Sequence, residues 1–156
     1  MTRRNWKHAR ANSLVHALRL CKEFARDRHN LSVEHIADRM GVTDDNLYKW
    51  LGTGRMPAIL IPTYELACGC HFVSDWLSAS AGRLVVPMPI GRGATEADLL
   101  AVNSSCAAAL DLLTKFYADP ASADLAATSD ALRVHLEQVA FHHHNVARYA
   151  APELEF

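Results

Sequence analysis

Apolar residues recur every three or four positions through most of this chain, which is the spacing of one face of an α-helix. The first segment with this pattern, residues 12–28, carries Leu14, Leu18, Cys21 and Ala25 on one face. The pattern predicts an amphipathic helix whose apolar face is turned toward a core.

The next segment has the signals of a short helix at both of its ends. Ser32 is a typical N-cap, and Leu31 and Ile36 occupy the two positions of a hydrophobic staple around it. Gly41 follows Met40 and is expected to end this second helix in a left-handed conformation.

The same signals repeat immediately, and they predict a third helix. Thr43 is its N-cap, and Val42 and Leu47 form the second staple. This helix is expected to run to about Leu51 and to end at Gly52.

Two more short helices are predicted before residue 82. Leu60, Tyr64 and Ala67 share one face of the fourth, and Pro62 falls in its first turn, where a missing N–H costs little. After Gly69, the segment FVSDWLSAS predicts a short fifth helix.

The remaining residues change in character. Residues 83–94 contain two prolines and two glycines, which predicts an extended linker. Thr95 can cap a long helix, and DPAS from Asp119 separates it from a last helix. The apolar residues of the first of these are Leu99, Val102, Cys106, Leu110, Leu113 and Tyr117.

The predicted fold class is therefore all-α, with four parts along the chain. These are a basic N-terminal arm (1–11), a five-helix domain (12–82), an extended linker (83–94) and a C-terminal helical hairpin (95–156). At 156 residues and 50% hydrophobic composition, the chain can bury one ordinary core and a smaller appendage.

The formal net charge of −1 conceals two halves of opposite sign. Residues 1–92 hold 13 Lys and Arg against 8 Asp and Glu, a net of +5, whereas residues 93–156 hold 3 against 9, a net of −6. An excess of positive charge in one part is typical of a polyanion-binding protein, although +5 also fits an ordinary solvated surface.

The second and third helices are joined by a tight turn with a characteristic residue spacing. Ala37 is small where two steeply crossing helices would touch, and Gly41 allows the tight turn between them. The residues that would face one core are Ile36, Met40, Val42, Leu47 and Trp50. This spacing resembles the helix-turn-helix of the lambda repressor and Cro (XRE-type) family, and residues 12–82 resemble its five-helix order. The helical tail resembles phage-type regulatory proteins in outline only.

The resemblance implies a DNA-binding surface on the third helix. Such a recognition helix lies in the major groove, where its N-terminal part contacts base edges. With Leu47 toward the core, Asp45, Tyr48 and Lys49 point outward at about 100° per residue. The residues expected to contact DNA are Thr43, Asp44, Asp45, Asn46, Tyr48, Lys49 and Arg55, with Arg3, Arg4, Lys7 and Arg10 of the arm.

Asp44 and Asp45 have two interpretations, because a carboxylate repels a phosphate backbone. Carboxylates in a first helical turn interact favourably with the positive end of the helix dipole, by about 0.3–1 kcal/mol each. Alternatively, a carboxylate accepts a hydrogen bond from cytosine N4 and so contributes to base recognition. In either case, phosphate affinity has to come from other residues.

The arm and the tail also have alternatives. The arm would contact the DNA backbone or minor groove, or it would be a frayed, solvated terminus. The tail would pack on its own DNA-binding domain, or it would associate with a second copy, because its last helix has apolar residues at heptad spacing. The residues expected in a dimer contact are Leu125, Leu132, Leu136, Val139 and Val146.

The other clusters of reactive side chains favour no enzyme. CGCH at 68–71 has two thiols and an imidazole, but structural zinc sites space paired cysteines by two to four residues and need a fourth ligand. HHHN at 142–145 spreads three imidazoles around a helix. We expect no catalytic activity, cofactor or metal, with a metal-dependent enzyme using CGCH as a distant alternative.

The sequence predicts no membrane span and no secretory signal, and its cysteines show no disulfide framework, so a cytoplasmic protein is expected. The predicted function is a sequence-specific double-stranded DNA-binding regulator of transcription, of the phage or prophage repressor type, acting as a homodimer on a two-fold symmetric operator. The alternative is a helix-turn-helix scaffold that binds another protein, like an antirepressor or antitoxin, with Asp44 and Asp45 facing a basic partner.

Overall fold

The structure is a computed structural model that describes residues 5–87 and 93–150, apart from the side chains of His8, Tyr149 and Ala150. All regular structure in these two ranges is helical, which confirms the predicted all-α class. The α-helices described are α1 Leu14–His29, α2 Val33–Met40, α3 Asp44–Thr53, α4 Ile61–Cys68, α5 Phe72–Ser80, α6 Glu96–Ala118 and α7 Leu125–Ala150. Two 3-10 turns, Trp6–His8 and Ala58–Leu60, precede α1 and α4.

The chain forms two compact units, Met1–Val85 and Val86–Phe156. In the first unit, α1 packs against α3, α4 and α5, and α2 packs against α3 and α4. Tyr64 of α4 is fully buried, and its hydroxyl donates a hydrogen bond of 2.7 Å to the backbone oxygen of Leu18 in α1. Leu47 of α3 belongs to the same buried cluster, so these helices share one core.

The N-caps predicted for α2 and α3 are confirmed. Ser32 Oγ accepts a hydrogen bond from the backbone N–H of His35 at 3.3 Å, and Thr43 Oγ1 accepts one from Asn46 at 3.4 Å. Gly41 ends α2 with a φ of 68°, a left-handed value that glycine adopts without strain. The turn between α2 and α3 is therefore short and fixed at both ends.

The end of α3 differs from the prediction. The helix continues through Gly52 to Thr53, and Gly54 ends it with a φ of 75°. A Cβ on Gly54 would lie 2.9 Å from Val15 Cγ2 of α1, whereas a Cβ on Gly52 would meet nothing within 4 Å. Gly54 is therefore the glycine that the structure requires, because it combines a left-handed backbone with the close approach of α1.

A buried carboxylate that the sequence pattern did not predict joins α4 to α5. Glu65 is 2% exposed, and its Oε1 accepts hydrogen bonds from the backbone N–H groups of Val73 and Ser74 at 2.8 and 2.9 Å. The Ser74 hydroxyl donates to Oε2, and His71 Nδ1 lies 3.6 Å from that oxygen. Glu65 thus caps α5 by accepting hydrogen bonds from two of its first N–H groups. The side chain of the N-cap residue His71 makes no capping hydrogen bond.

The second unit consists of α6 and α7, which lie antiparallel. His142 Nε2 donates to the backbone oxygen of Asp98 at 3.2 Å, and Ser105 Oγ lies 3.1 Å from His135 Nδ1. Residue numbers thus rise along one helix as they fall along the other.

At the start of α6, the predicted cap Thr95 donates to Asp98 Oδ2 from its N–H at 2.8 Å and its hydroxyl at 2.7 Å.

One helix, α6, bears on the expectation that no segment spans a membrane, which stays a prediction. By length and composition alone, Glu96–Ala118 could cross a membrane, and within residues 5–87 and 93–150 it is the single helix that meets this criterion. Its alanines and leucines raise the average hydropathy although polar residues interrupt them. Core helices of soluble proteins meet the same criterion, so this finding alone assigns no membrane location.

Gly52→Ala and Gly54→Ala form a matched pair that tests the end of α3. Gly52→Ala is expected to raise the free energy of unfolding by roughly 0.5–1 kcal/mol, because alanine is favoured in a helix interior. Gly54→Ala is expected to lower it by about 1–2 kcal/mol or more, because the methyl group strains a left-handed backbone and meets Val15. Urea unfolding followed by circular dichroism measures both changes, and equal effects would contradict this helix end.

Candidate nucleic-acid interface

Exposed polar side chains form a row along the outward side of α3. Leu47 is completely buried and Leu51 nearly so, which fixes the face that α3 turns toward the core. The exposed residues at the start and on the outward side of α3 are Thr43, Asp44, Asp45, Asn46, Tyr48 and Lys49. The structure thus brings six of the predicted residues together, and we call them the α3 surface. Arg55 is exposed just beyond the end of the helix.

The geometry is compatible with both interpretations of the two aspartates. Asp44 and Asp45 lie in the first turn of α3, beside backbone N–H groups that have no helical carbonyl partner. A favourable interaction with the helix dipole follows from this position. Both side chains are also exposed, so their carboxylates are accessible to a ligand.

Tyr48 has a partner that the sequence analysis missed. Its hydroxyl donates a hydrogen bond of 2.8 Å to Oε1 of Glu34, which lies in the first turn of α2. Hydrogen bonds from the Ser32 hydroxyl, from the backbone N–H of Glu34 and from Tyr48 lower the pKa of Glu34 to about 2. Glu34 is therefore ionised at neutral pH, and it adds a third carboxylate beside the α3 surface.

Trp6 packs the described part of the N-terminal arm against α1 and α5. Trp6 is buried, and its indole N–H donates a hydrogen bond of 2.6 Å to Asp27 Oδ2 near the end of α1. The Trp6 ring lies edge-on to Phe24, with 5.3 Å between ring centroids, and 5.9 Å from the ring of Phe72 in α5. The interpretation of this segment as a frayed, solvated terminus is therefore wrong for the described part of the arm.

The basic residues of the arm differ in how the structure holds them. Arg10 Nη1 donates to two backbone oxygens of the arm itself, at 3.3 and 2.9 Å. Burial raises the pKa of Asp75 in α5, and Arg10 is near enough to offset part of that increase. Lys7 is exposed, and Arg3 and Arg4 lie outside the described residues. Contact of the arm with DNA stays a prediction.

The predicted dimer residues of α7 are mostly exposed, and α6 carries a matching row. Those of α7 with exposed side chains are Leu125, Leu136, Val139 and Val146, while Leu132 is half-buried. The exposed members of the α6 row, which also has heptad spacing, are Leu99, Leu110 and Tyr117.

Both rows lie on the same side of the helix pair. The contact face contains Ser105 and Ala109 on α6 and Thr128 and His135 on α7. Each row lies one residue further along its helix, so it is displaced from that face by roughly 100° in the same rotational sense. Because α6 and α7 are antiparallel, an equal displacement in the same sense places the two rows side by side. They form one largely apolar face, which Ser129 and His143 of α7 interrupt and which we call the heptad face.

The charged residues of α6 and α7 lie away from the heptad face. Arg133 pairs with Asp130 (Nε to Oδ1, 3.9 Å) and with Glu137 (Nη1 to Oε1, 2.5 Å) on α7. Lys115 Nζ lies 2.6 Å from Asp111 Oδ2 on α6. Neither heptad row contains Asp, Glu, Lys or Arg. The helix pair therefore has one charged side and one side without charge.

The CGCH segment forms the turn between α4 and α5. Cys68 and Cys70 are buried, whereas His71 is exposed. Burial raises the pKa of Cys68 to about 12, and a hydrogen bond with the Cys70 thiol, together with burial, raises the pKa of Cys21. Over residues 5–87 and 93–150, no three His, Cys, Asp or Glu side chains form a group that could hold a metal ion.

No protein-family model, curated protein or solved structure matched this chain. No relative therefore assigns a role to the α3 surface or to the heptad face.

Trp6→Ala tests the packing of the arm. It is expected to lower the free energy of unfolding by about 3–5 kcal/mol, because it removes a buried ring and the indole donor to Asp27. Trp6→Phe keeps most of the ring contacts and loses the hydrogen bond, so a loss of about 1 kcal/mol is expected. Urea unfolding measures both variants, and a Trp6→Ala variant as stable as the wild type would refute the packed arm.

Proposed function

We propose that this protein is a sequence-specific DNA-binding regulator of transcription of the lambda repressor and Cro type, in which α2 and α3 form the helix-turn-helix. The observation that carries the proposal is the α3 surface, a row of exposed polar side chains on a helix whose rotation is fixed by buried Leu47. An α-helix fits the major groove of B-DNA, which is about 12 Å wide. Side chains in the first turns of α3 then reach base edges.

Affinity for the phosphate backbone comes from cations around this surface. Lys49 and Arg55 are exposed on α3 and just beyond its end. Residues 1–92 carry 13 Lys and Arg against 8 Asp and Glu, so a net charge of +5 attracts the polyanion over a distance. The acids of the α3 surface oppose non-specific contact with phosphates at close range.

The heptad face supports a dimeric regulator. Soluble monomers rarely expose a large continuous apolar patch. A second copy is the occupant that fits this one, because two antiparallel helix pairs with heptad-spaced rows can combine into a four-helix bundle. A lipid bilayer would require no such spacing. We infer a cytoplasmic homodimer of the phage repressor type that binds a two-fold symmetric operator.

A second candidate function is supported by Glu34. Glu34 lies in the first turn of α2, and Asp44 and Asp45 lie in the first turn of α3, so the two helices present three carboxylates. A basic protein partner would also fit such a surface. An adaptor of the antirepressor or antitoxin kind would use the same residues without DNA.

Selection of bound sequences from a random duplex pool tests the DNA-binding proposal. The full-length protein is expected to enrich a two-fold symmetric sequence whose half-site centres are about one helical turn apart. Its affinity should fall steeply between about 50 and 200 mM salt, because phosphate contacts release counterions. A protein that enriches no sequence and shows no dependence on salt would instead favour the protein-binding candidate.

Asp45→Ala and Lys49→Ala test the acids and the cations of the α3 surface separately in the same selection. Asp45→Ala should relax the base preference and raise non-specific affinity, because one repulsion of phosphate is removed. Lys49→Ala should weaken specific binding, because a cation on the α3 surface is lost. If Asp45→Ala lowers only the stability and leaves the selected sequence unchanged, the helix dipole alone explains Asp45.

Leu136→Asp and Val134→Asp form a matched pair that tests the dimer. Their side chains are 39% and 42% exposed, but Val134 lies on the side of α7 opposite the heptad face. Leu136→Asp is expected to give a monomer at micromolar concentration and to lower operator affinity by orders of magnitude, because linked domains act through effective concentration. Val134→Asp should leave both unchanged. Sedimentation velocity measures the oligomeric state, and a monomeric wild type or a dimeric Leu136→Asp variant would contradict the proposed dimer contact.

A further inference from the structure

Glu34 and Tyr48 join the first turn of α2 to the middle of α3. We propose that Glu34 is a positioning residue for base recognition, which holds the Tyr48 hydroxyl so that Tyr48 presents only a hydrogen-bond acceptor to DNA. The inference rests on the proposed DNA-binding function, and it predicts the chemical class of base that Tyr48 selects.

The geometry of the hydrogen bond decides what Tyr48 offers to a ligand. Tyr48 is 50% exposed on the outward side of α3, and its hydroxyl donates to Glu34 Oε1 over 2.8 Å. A phenol has a single O–H donor and two acceptor lone pairs. Because the donor is directed at Glu34, only acceptor capacity remains on the Tyr48 oxygen.

Glu34 is an acceptor for the Tyr48 hydroxyl. Interaction with the Ser32 hydroxyl, with its own backbone N–H and with the Tyr48 hydroxyl lowers the pKa of the Glu34 carboxyl to about 2. Glu34 therefore stays ionised and acts only as an acceptor. The same carboxylate raises the pKa of Tyr48, so the phenol keeps the proton that it donates.

This arrangement selects among base edges. In the major groove, adenine N6 and cytosine N4 are donors, whereas guanine O6, guanine N7 and thymine O4 are acceptors. A Tyr48 oxygen that only accepts favours the amino group of adenine or cytosine and is repelled by the acceptor edges. A tyrosine without Glu34 would rotate its hydroxyl and accommodate either kind of edge.

Sequence selection with the full-length wild type, Glu34→Ala and Tyr48→Phe tests this proposal. The wild type should prefer adenine or cytosine at one half-site position by roughly tenfold, the effect of about one hydrogen bond. Glu34→Ala should abolish that preference at that position alone, because the released hydroxyl both donates and accepts. Tyr48→Phe should abolish it as well, and adding Glu34→Ala to Tyr48→Phe should cause no further change.

Asp38→Asn is the matched control for the loss of negative charge. Asp38 is exposed one turn after Glu34 on α2. Its substitution should raise the affinity for all sequences slightly without changing any base preference, since it removes a charge and leaves the contact with Tyr48 intact.

A titration of the free protein provides a readout that does not depend on DNA. The ultraviolet difference between the wild type and Tyr48→Phe reports the pKa of Tyr48, and Glu34→Ala should move that pKa down toward the value of free tyrosine. An unchanged Tyr48 pKa, or a base preference that survives Glu34→Ala, overturns the positioning role and leaves the DNA-binding proposal standing. Absence of any base preference in the wild type overturns both.

Discussion

Burial of Leu47 in the core formed with α1 and α2 is the contact on which the α3 surface depends. A helix of ten residues is marginal by itself, so α3 exists because one of its faces is packed. Removing that leucine from water contributes roughly 1.5–3 kcal/mol. The burial of Leu47 also fixes the rotation of α3 about its axis, because successive side chains are turned by about 100°. The staple and the Thr43 cap act on the same turn, so local and core interactions select a single orientation.

In the α6–α7 pair, unlike in α3, much of the apolar surface lies outside the contact between the helices. That contact includes polar groups, such as Ser105 with His135 and His142 with the backbone of Asp98. Asn145 Nδ2 is buried among the described residues without a hydrogen-bond partner. This contact leaves leucines and valines of the heptad face exposed, and the proposed association with a second copy would bury them.

Features that depend on neighbouring residues could be predicted from the sequence, and features that depend on distant residues could not. The caps at Ser32 and Thr43 and the left-handed Gly41 follow from a few adjacent positions. Nothing near Trp6 indicates that Asp27 will accept its N–H, and nothing near Glu65 indicates that α5 lacks a cap of its own. The end of α3 was misassigned for a similar reason. The residues around Gly52 and Gly54 favour neither glycine as the end of α3, and only the approach of Val15 distinguishes them.

The acids at the start of α2 and α3 are compatible with a DNA-binding surface if they increase the specificity of binding and not its affinity. A carboxylate about 4 Å from a phosphate costs on the order of 1 kcal/mol in water, and this cost applies on every sequence. A hydrogen bond from a base amino group offsets it only where that base is present. Such residues therefore weaken binding to wrong sites more than binding to the right one, which is how repulsive groups create discrimination. The exposed cations Lys49 and Arg55 are then left to provide the attraction that every site shares.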